Sequence, residues 1–297
     1  MPWPDEPRVD PRFLFTLPGI PRRAISRFMG AVARLRVPER LRPGLWGFVG
    51  RRLKIDPAMV PGDLRNYPDF LALFTRPLPE GARPLPETPG WLAPADGRLV
   101  SIDQVTTEGS WVIKGCPYSN EELLPGGDLQ GLLGYRAFQI YLSPRDYHRF
   151  HVPCDCTVER AVVEPGDLQP VDPSLVRRSM RVLATNRRIL LHCRDAEGLP
   201  FAMLFVGALN VGSLSFPFDG TLGQGPWVRT THHYDPPHPF AAGDELGRFE
   251  FGSTVVLFVP PGLRSLAGLD DPTLARTLML TPTHGPETTA MEDADER

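Results

Sequence analysis

The chain has 297 residues, of which 41% are hydrophobic and 23% charged, so it can bury a sizeable core. Its 32 basic and 35 acidic residues leave a net charge of −3, which gives no general signal for nucleic-acid binding. The four cysteines are too few for a disulfide scaffold in a chain this long. No run of about 18 apolar residues occurs, so no transmembrane helix is expected.

The first predicted elements are basic amphipathic helices within residues 1–55. Apolar residues recur there at helical spacing and arginines flank them, as in Ile25, Phe28 and Val32 beside Arg27 and Arg34. Such a stretch can lie in the headgroup plane of an anionic bilayer. The alternative is a helix packed on the core with solvated arginines. The polar opening "MPWPDEPRVD" does not resemble a signal peptide, so we expect the chain to remain in the cytosol or on the cytoplasmic side of a membrane.

The middle of the chain, residues 56–265, is predicted to be a β-rich domain. A short helix is expected at "DFLALFTRPL", and from Trp91 onward short β-type runs alternate with Gly, Pro and Asp turns. "APADGRLVSID" and "VPCDCTVERAVV" form a weak internal repeat, each turning into a strand. The fold class is therefore mainly β (α+β), a duplicated β-hairpin sandwich like the lipoyl/biotinyl type. Residues 266–297 are expected to be a C-terminal end with an acidic, disordered tail.

Two short motifs carry residues that could perform chemistry. Asp96 lies in "PADG", where it could also be an ordinary turn former. His148 and His151 lie in "SPRDYHRFHVP", where they could also be surface or core histidines. These histidines with Cys154 and Cys156 have zinc-ligand chemistry, but the HxxH and CxC spacings match no common zinc pattern. No metal is expected.

A third feature is Gly252-Ser253, inside the strand-like stretch "FEFGSTVVLFVP". No G-x-S-x-G nucleophile elbow is present, and neither lysine lies at a hairpin tip where a carrier domain would be modified. A glycine before the serine would let the Ser253 hydroxyl attack its neighbour's carbonyl. An N→O acyl shift followed by elimination would then cut the chain and leave a pyruvoyl group at position 253, with a histidine as base and a carboxylate orienting it.

Taken together, these motifs identify a family. From about Ile20 to Pro261 the chain resembles the bacterial, membrane-associated phosphatidylserine decarboxylases. The resemblance is carried, in this order, by "FTRPL", "PADG", "KGCPYSNEELL", "YLSPRDYHRFHVP", "VGALNVGS" and "GDELGRFEFGSTVVLFVP". The family often has Leu where this chain has Phe251.

The resemblance implies autocatalytic cleavage between Gly252 and Ser253, a covalent pyruvoyl cofactor made from Ser253, and a processing triad of Asp96, His151 and Ser253. It assigns His148 to decarboxylation, as a general acid. The implied partners are phosphatidylserine in an anionic membrane and the α and β chains of one precursor, with a homodimer as a further expectation and no nucleic acid. The implied location is peripheral, on the cytoplasmic side of the cell membrane. A decarboxylase of another serine-headed lipid, such as archaetidylserine, and a non-catalytic lipid-binding homologue remain alternatives.

Overall fold

The structure is a computed structural model. It describes residues 21–106, 110–113, 116–125, 131–169, 182–208, 214–223, 228–250 and 254–283.

The fold is mainly β with a helical N-terminal arm, which confirms the mainly-β α+β class. The helices are α1 (Arg22–Ala33), α2 (Arg42–Leu53), α3 (Phe70–Phe74), α4 (Asn120–Leu123) and α5 (Val182–Thr185). The strands are β1 (Trp91–Leu92), β2 (Gly97–Gln104), β3 (Ser110–Ile113), β4 (Cys116–Ser119), β5 (Arg136–Tyr141), β6 (Arg149–His151), β7 (Cys156–Glu164), β8 (Arg188–Asp195), β9 (Pro200–Val206), β10 (Leu214–Ser215), β11 (Thr230–Phe240), β12 (Glu245–Phe249), β13 (Thr254–Val259), β14 (Leu263–Ser265), β15 (Pro272–Thr273) and β16 (Leu278–Pro282).

One eight-stranded sheet dominates the molecule, in the order β11-β7-β8-β9-β13-β5-β2-β15. Smaller sheets have the orders β1-β16-β14, β10-β12-β6 and β3-β4, and all pairings between these strands are antiparallel. The central strand β13 (TVVLFV) is buried at every position, which explains its uninterrupted apolar run. Valine and phenylalanine suit such a strand because they pack well on a pleated surface.

The repeat noted in the sequence precedes two strands of this large sheet. β2 begins directly after "PAD" and β7 follows "PCD". The duplicated sandwich stays a prediction, as do the proposed domain limits. Strands β15 and β16 lie beyond residue 265 and pair with β2 and β1.

The helical arm has a small apolar cluster of its own. Trp46 of α2 is buried with Tyr67 and Leu73, and its indole N–H donates to the Tyr67 carbonyl at 2.8 Å. Helix α3 begins after Asp69, whose carboxylate accepts the Ala72 N–H at 2.8 Å as an N-cap. Within the described ranges, no helix combines the length and apolar composition needed to span a bilayer.

The stretch "FEFGSTVVLFVP" is not one strand. β12 ends at Phe249 in a three-stranded sheet, whereas β13 begins at Thr254 in the centre of the eight-stranded sheet. The chain therefore passes between two sheets at this point, which periodicity along the sequence could not reveal. Phe251, Gly252 and Ser253 lie outside the described residues.

Candidate active site

Asp96 lies where β2 begins, at one end of the large sheet. Gly97 follows it with φ of +155°, and a Cβ there would lie 2.3 Å from the Tyr141 carbonyl oxygen, so only glycine fits. In the sheet register Tyr141 pairs with Arg98 on one side and with Thr254 on the other. The "PADG" turn and the residue that follows Ser253 thus lie at the same end of the sheet, separated by β5.

The Asp96 carboxylate is held by an arginine that the sequence did not reveal as its partner. Arg83 contacts both carboxylate oxygens, with Nη2 to Oδ2 at 2.7 Å and Nη1 bonded to Oδ1. The Ala275 N–H also donates to Oδ1 at 2.8 Å. The side chains of Arg83 and Asp96 are only 6% and 10% exposed, so this is a buried, bidentate ion pair.

His148 lies in the loop between β5 and β6 and is fully buried. Its Nδ1–H donates to the Asp146 carbonyl at 2.7 Å, while its Nε2 has no hydrogen-bond partner within the described residues. The Phe74 ring covers it, with ring centroids 4.0 Å apart. Burial, with a smaller contribution from the positive charge of Arg76, lowers the pKa of His148 to about 3. His148 is therefore a neutral imidazole with a lone pair on Nε2.

His151 lies on β6 and has both ring nitrogens engaged. Its Nδ1–H donates to the Gly243 carbonyl at 2.9 Å, and the Tyr147 hydroxyl donates to Nε2 at 3.0 Å. Burial lowers the pKa of His151, and the hydrogen bond to Gly243 partly opposes this effect. His151 is thus also held neutral, with its basic nitrogen directed at Tyr147.

Asp96 and His151 are connected indirectly in this structure. No hydrogen bond joins them, because Gly243 accepts the Nδ1–H and Arg83 occupies the carboxylate. The Arg83 guanidinium instead lies over the Tyr147 ring, 5.8 Å from its centroid. The His151 N–H also donates to the Pro94 carbonyl at 2.8 Å, two residues before Asp96. The structure brings Asp96, His148 and His151 into one region, with Arg83 and Tyr147 between the first and the last.

The segment leading to the Gly-Ser pair contacts this region directly. The Phe249 N–H donates to the His148 carbonyl at 2.8 Å, since β12 pairs with β6. Glu250, with a side chain only 9% exposed, forms an ion pair with Arg34 at the end of helix α1. Beyond the gap, Thr254 is 1% exposed and its hydroxyl has no partner within the described ranges. The upstream side of the Gly252-Ser253 junction is therefore anchored beside His148, and the downstream side is anchored in the large sheet between Tyr141 and Val206.

Cys154, Cys156 and Cys193 do not join this cluster. Among the described residues, no group of three or more His, Cys, Asp and Glu side chains could hold a metal ion. Cys154, Cys156 and Cys193 are free thiols, and burial raises the pKa of all three, that of Cys156 to about 12. They are therefore unreactive as nucleophiles at neutral pH.

Sequence reasoning missed Arg83, Gly243 and Arg76 as parts of the site. Arg76 belongs to the "FTRPL" motif, which could have drawn attention to it. Arg83 lies only 13 residues before Asp96 but outside every motif singled out in the sequence, and Gly243 meets His151 across 92 residues.

The chain belongs to the phosphatidylserine decarboxylase family. The model of the family described as phosphatidylserine decarboxylase matches residues 70–273, which span Arg76, Asp96, both histidines and the Gly-Ser junction. A phosphatidylserine decarboxylase proenzyme from Helicobacter pylori (strain Shi470) is 35% identical over 240 residues, covering 80% of this chain and 88% of the relative. Proenzymes of the same name are similar in Marinobacter nauticus (36% over 263 residues, 86% and 91% covered) and Halorhodospira halophila (38% over 246 residues, 82% and 84% covered).

Proposed function

We propose that this chain is a proenzyme that cuts itself between Gly252 and Ser253 and then converts phosphatidylserine to phosphatidylethanolamine and CO₂. The observation that carries the proposal is a pair of buried, neutral histidines, one on β6 and one in the loop just before it, next to the segment that leads into the Gly-Ser junction. Membership of the family supports the substrate and the reaction, and the relatives' name "proenzyme" supports the cleavage.

The cleavage uses only groups of this chain and one water. The Ser253 Oγ attacks the Gly252 carbonyl carbon, the C–N bond breaks, and an ester forms. A base removes the Cα proton of residue 253, which expels residues 1–252 with a new C-terminal carboxylate. The dehydroalanine left at position 253 tautomerises to an imine, and hydrolysis of its C=N bond by one water releases ammonia and leaves residues 253–297 with a keto group at their start. His151 suits the role of base because it is neutral, and the Tyr147 hydroxyl that is bonded to its Nε2 would relay the proton to it.

Asp96 acts on this base through its neighbours rather than by direct contact. Its ion pair with Arg83 fixes the guanidinium that lies over Tyr147, and Tyr147 bonds to His151. We infer that Asp96 is a positioning residue for processing.

The described surroundings fit a pyruvoyl group at position 253. The Thr254 hydroxyl is buried without a partner among the described residues, so it can donate a hydrogen bond to a carbonyl oxygen of such a group. When formed, the pyruvoyl group supplies a carbonyl that accepts the electrons released by loss of CO₂.

His148 then handles the protons of decarboxylation. Its Nε2 carries a lone pair in the structure, so it first accepts a proton from the substrate ammonium. The negative charges of the bound headgroup favour the protonated imidazole. His148 next returns that proton to the headgroup carbon that has lost CO₂. The role of general acid therefore follows an initial role as base.

A lipid substrate requires access to a bilayer. Helices α1 and α2 provide a suitable surface. Phe28 is 67% exposed and Phe48 60% exposed, on helices rich in arginine. Moving a phenylalanine side chain out of water is favourable by about 1.5–3 kcal/mol, so both rings favour insertion into the headgroup region. We propose peripheral binding to anionic membranes on the cytoplasmic side.

Flotation with phosphatidylserine vesicles should weaken in Phe28→Ser/Phe48→Ser but not in Leu269→Ser, a control whose side chain is 61% exposed. Equal flotation of all three proteins would contradict this surface.

Intact-mass spectrometry tests the main proposal. Purified wild-type protein should give two chains, residues 1–252 and residues 253–297, the latter starting with a pyruvoyl group, whereas Ser253→Ala should stay uncut and inactive. Borohydride added with phosphatidylserine should link the lipid to the smaller chain. Active protein that is uncut, or that lacks a carbonyl end group, would overturn the proposal. A panel of serine-headed lipids separates phosphatidylserine from archaetidylserine as substrate, and chromatography tests the expected homodimer.

A further inference from the structure

Arg76 is a buried arginine without a counter-ion in the part of the chain that the structure describes. It is 2% exposed, its Nε–H donates to the Met59 carbonyl at 3.0 Å, and its Nη1 has no hydrogen-bond partner there. Its interactions with Asp96 and Asp146 are electrostatic and weaker than the opposing effect of burial, which lowers the pKa of Arg76. The guanidinium still carries its charge at neutral pH.

An isolated buried charge is expensive, and proteins normally pair it or use it. Arg83, a few residues away, illustrates the paired case through its two contacts with Asp96. The contrast indicates that the counter-ion of Arg76 is supplied by something that binds.

Arg76 lies beside the decarboxylation site. It follows Phe74, whose ring covers His148, and Arg149 fixes the intervening Thr75 carbonyl through a 2.9 Å hydrogen bond. The Arg76 charge also acts on the His148 imidazole. The Nη1 of Arg76 and the Nε2 of His148 are thus two unpartnered, buried polar atoms in one region, a donor and an acceptor.

The serine headgroup of a phospholipid offers two anions to such a donor. The carboxylate loses its charge when CO₂ leaves, so an arginine bound to it would stabilise the ground state more than the transition state. The phosphodiester keeps its charge throughout, and a buried guanidinium can hold it without slowing the chemistry. We propose that Arg76 binds the phosphodiester of the substrate headgroup and places the amine at His148. This inference rests on the proposed function.

Binding to a group that does not change during the reaction should affect KM and leave kcat nearly unchanged. Arg76→Met keeps most of the side-chain volume but removes the charge. A hydrogen bond to a charged group is worth about 1.5–3 kcal/mol, so KM for phosphatidylserine should rise roughly 10- to 100-fold, with self-cleavage complete. Arg76→Lys keeps the charge, so its KM should lie between those of wild type and Arg76→Met. The same variant tests the proposal if Arg76→Met does not fold. Arg136→Met is the matched control, since Arg136 lies at the other end of β5 and bonds to the Leu263 carbonyl.

Water-soluble probes distinguish the two anions. Glycerophosphoethanolamine carries the phosphodiester without the carboxylate, and free serine carries the carboxylate without the phosphodiester. Calorimetry should show that Arg76→Met loses affinity for glycerophosphoethanolamine, while inhibition by serine is unchanged. If Arg76→Met weakened inhibition by serine alone, Arg76 would bind the carboxylate and the inference would be overturned. Unchanged binding of both, or inorganic phosphate that competes as well as glycerophosphoethanolamine, would overturn it too.

The calorimetric measurement can be repeated on the uncut Ser253→Ala precursor. Failure of wild-type protein to cleave and decarboxylate would defeat the proposed function, whereas the effect of Arg76→Met on glycerophosphoethanolamine binding would still be measurable. The two failures are therefore distinguishable.

Discussion

The two histidines of the site, three residues apart in sequence, lie in opposite kinds of surroundings. His151 is fully hydrogen-bonded by Gly243 and Tyr147, whereas His148 and the nearby Arg76 each leave a buried polar atom without a partner in the described part of the chain. A side chain that acts on the protein's own backbone can have all its hydrogen-bond partners supplied by the fold. A side chain that acts on a bound substrate must keep at least one donor or acceptor atom free for that substrate. This comparison supports our proposal that His151 serves self-processing and that His148 and Arg76 serve the substrate.

The largest expected effect is on cleavage, from His151→Gln. Loss of a general base typically costs about 10²–10⁴-fold in rate, so this variant should accumulate as uncut chain. A time course of intact mass after purification measures it. His192→Gln, which removes a histidine that contacts Arg160 on the neighbouring strand, should cut like wild type. Cleavage of His151→Gln at the wild-type rate would remove His151 from the mechanism.

His148→Gln should show the opposite behaviour. We expect normal cleavage but a kcat for phosphatidylserine that is about 10²–10⁴-fold lower, because the proton carrier at the headgroup is gone. Gel analysis and CO₂ release on the same sample give both quantities. If His148→Gln also fails to cut, the division of work between the two histidines is wrong.

The buried ion pair between Arg83 and Asp96 should also contribute to the stability of the fold. Asp96→Asn leaves Arg83 buried without its counter-ion, which should lower the free energy of unfolding by about 3–5 kcal/mol. Arg83→Met/Asp96→Asn should recover part of that loss because no unpaired charge remains. Urea unfolding in the Ser253→Ala background keeps the chain in one piece for this measurement. An Asp96→Asn protein as stable as its parent would show that the pair is not structurally important.

The smallest effect, measured per pH unit, is on the pH dependence of stability. The pKa of His148 is lowered from 6.5 to about 3 in the folded chain, so the unfolded chain binds more protons between these values. The free energy of unfolding should therefore fall as the pH drops through this window, by up to about 1.4 kcal/mol per pH unit from this group. His148→Phe should make the decline shallower, although His151, with its pKa also lowered, keeps part of it. Equal slopes in urea unfolding would indicate that His148 is not held neutral.

Local pattern predicted the elements well. Helical spacing placed α1, the apolar run of "TVVLFVP" placed β13, and the Asp-Gly turn placed the start of β2. The same pattern merged β12 with β13, because apolar alternation does not say to which sheet a strand belongs. Family motifs supplied Asp96, His148 and His151, whereas their partners needed the fold. Gly243 lies 92 residues from His151 and Ala275 lies 179 residues from Asp96, and no sequence period encodes such contacts.

The position of β13 has a consequence for the mature protein. This strand would belong to the smaller product of cleavage, yet it lies between β5 and β9 of the larger one, hydrogen-bonded on both edges. A cut at residue 252 would therefore leave the two pieces interlocked. Once unfolded, however, they would have to find each other by diffusion. Maturation would convert a unimolecular folding reaction into a bimolecular one, so recovery of the mature protein from denaturant should depend on its concentration, while recovery of the precursor should not.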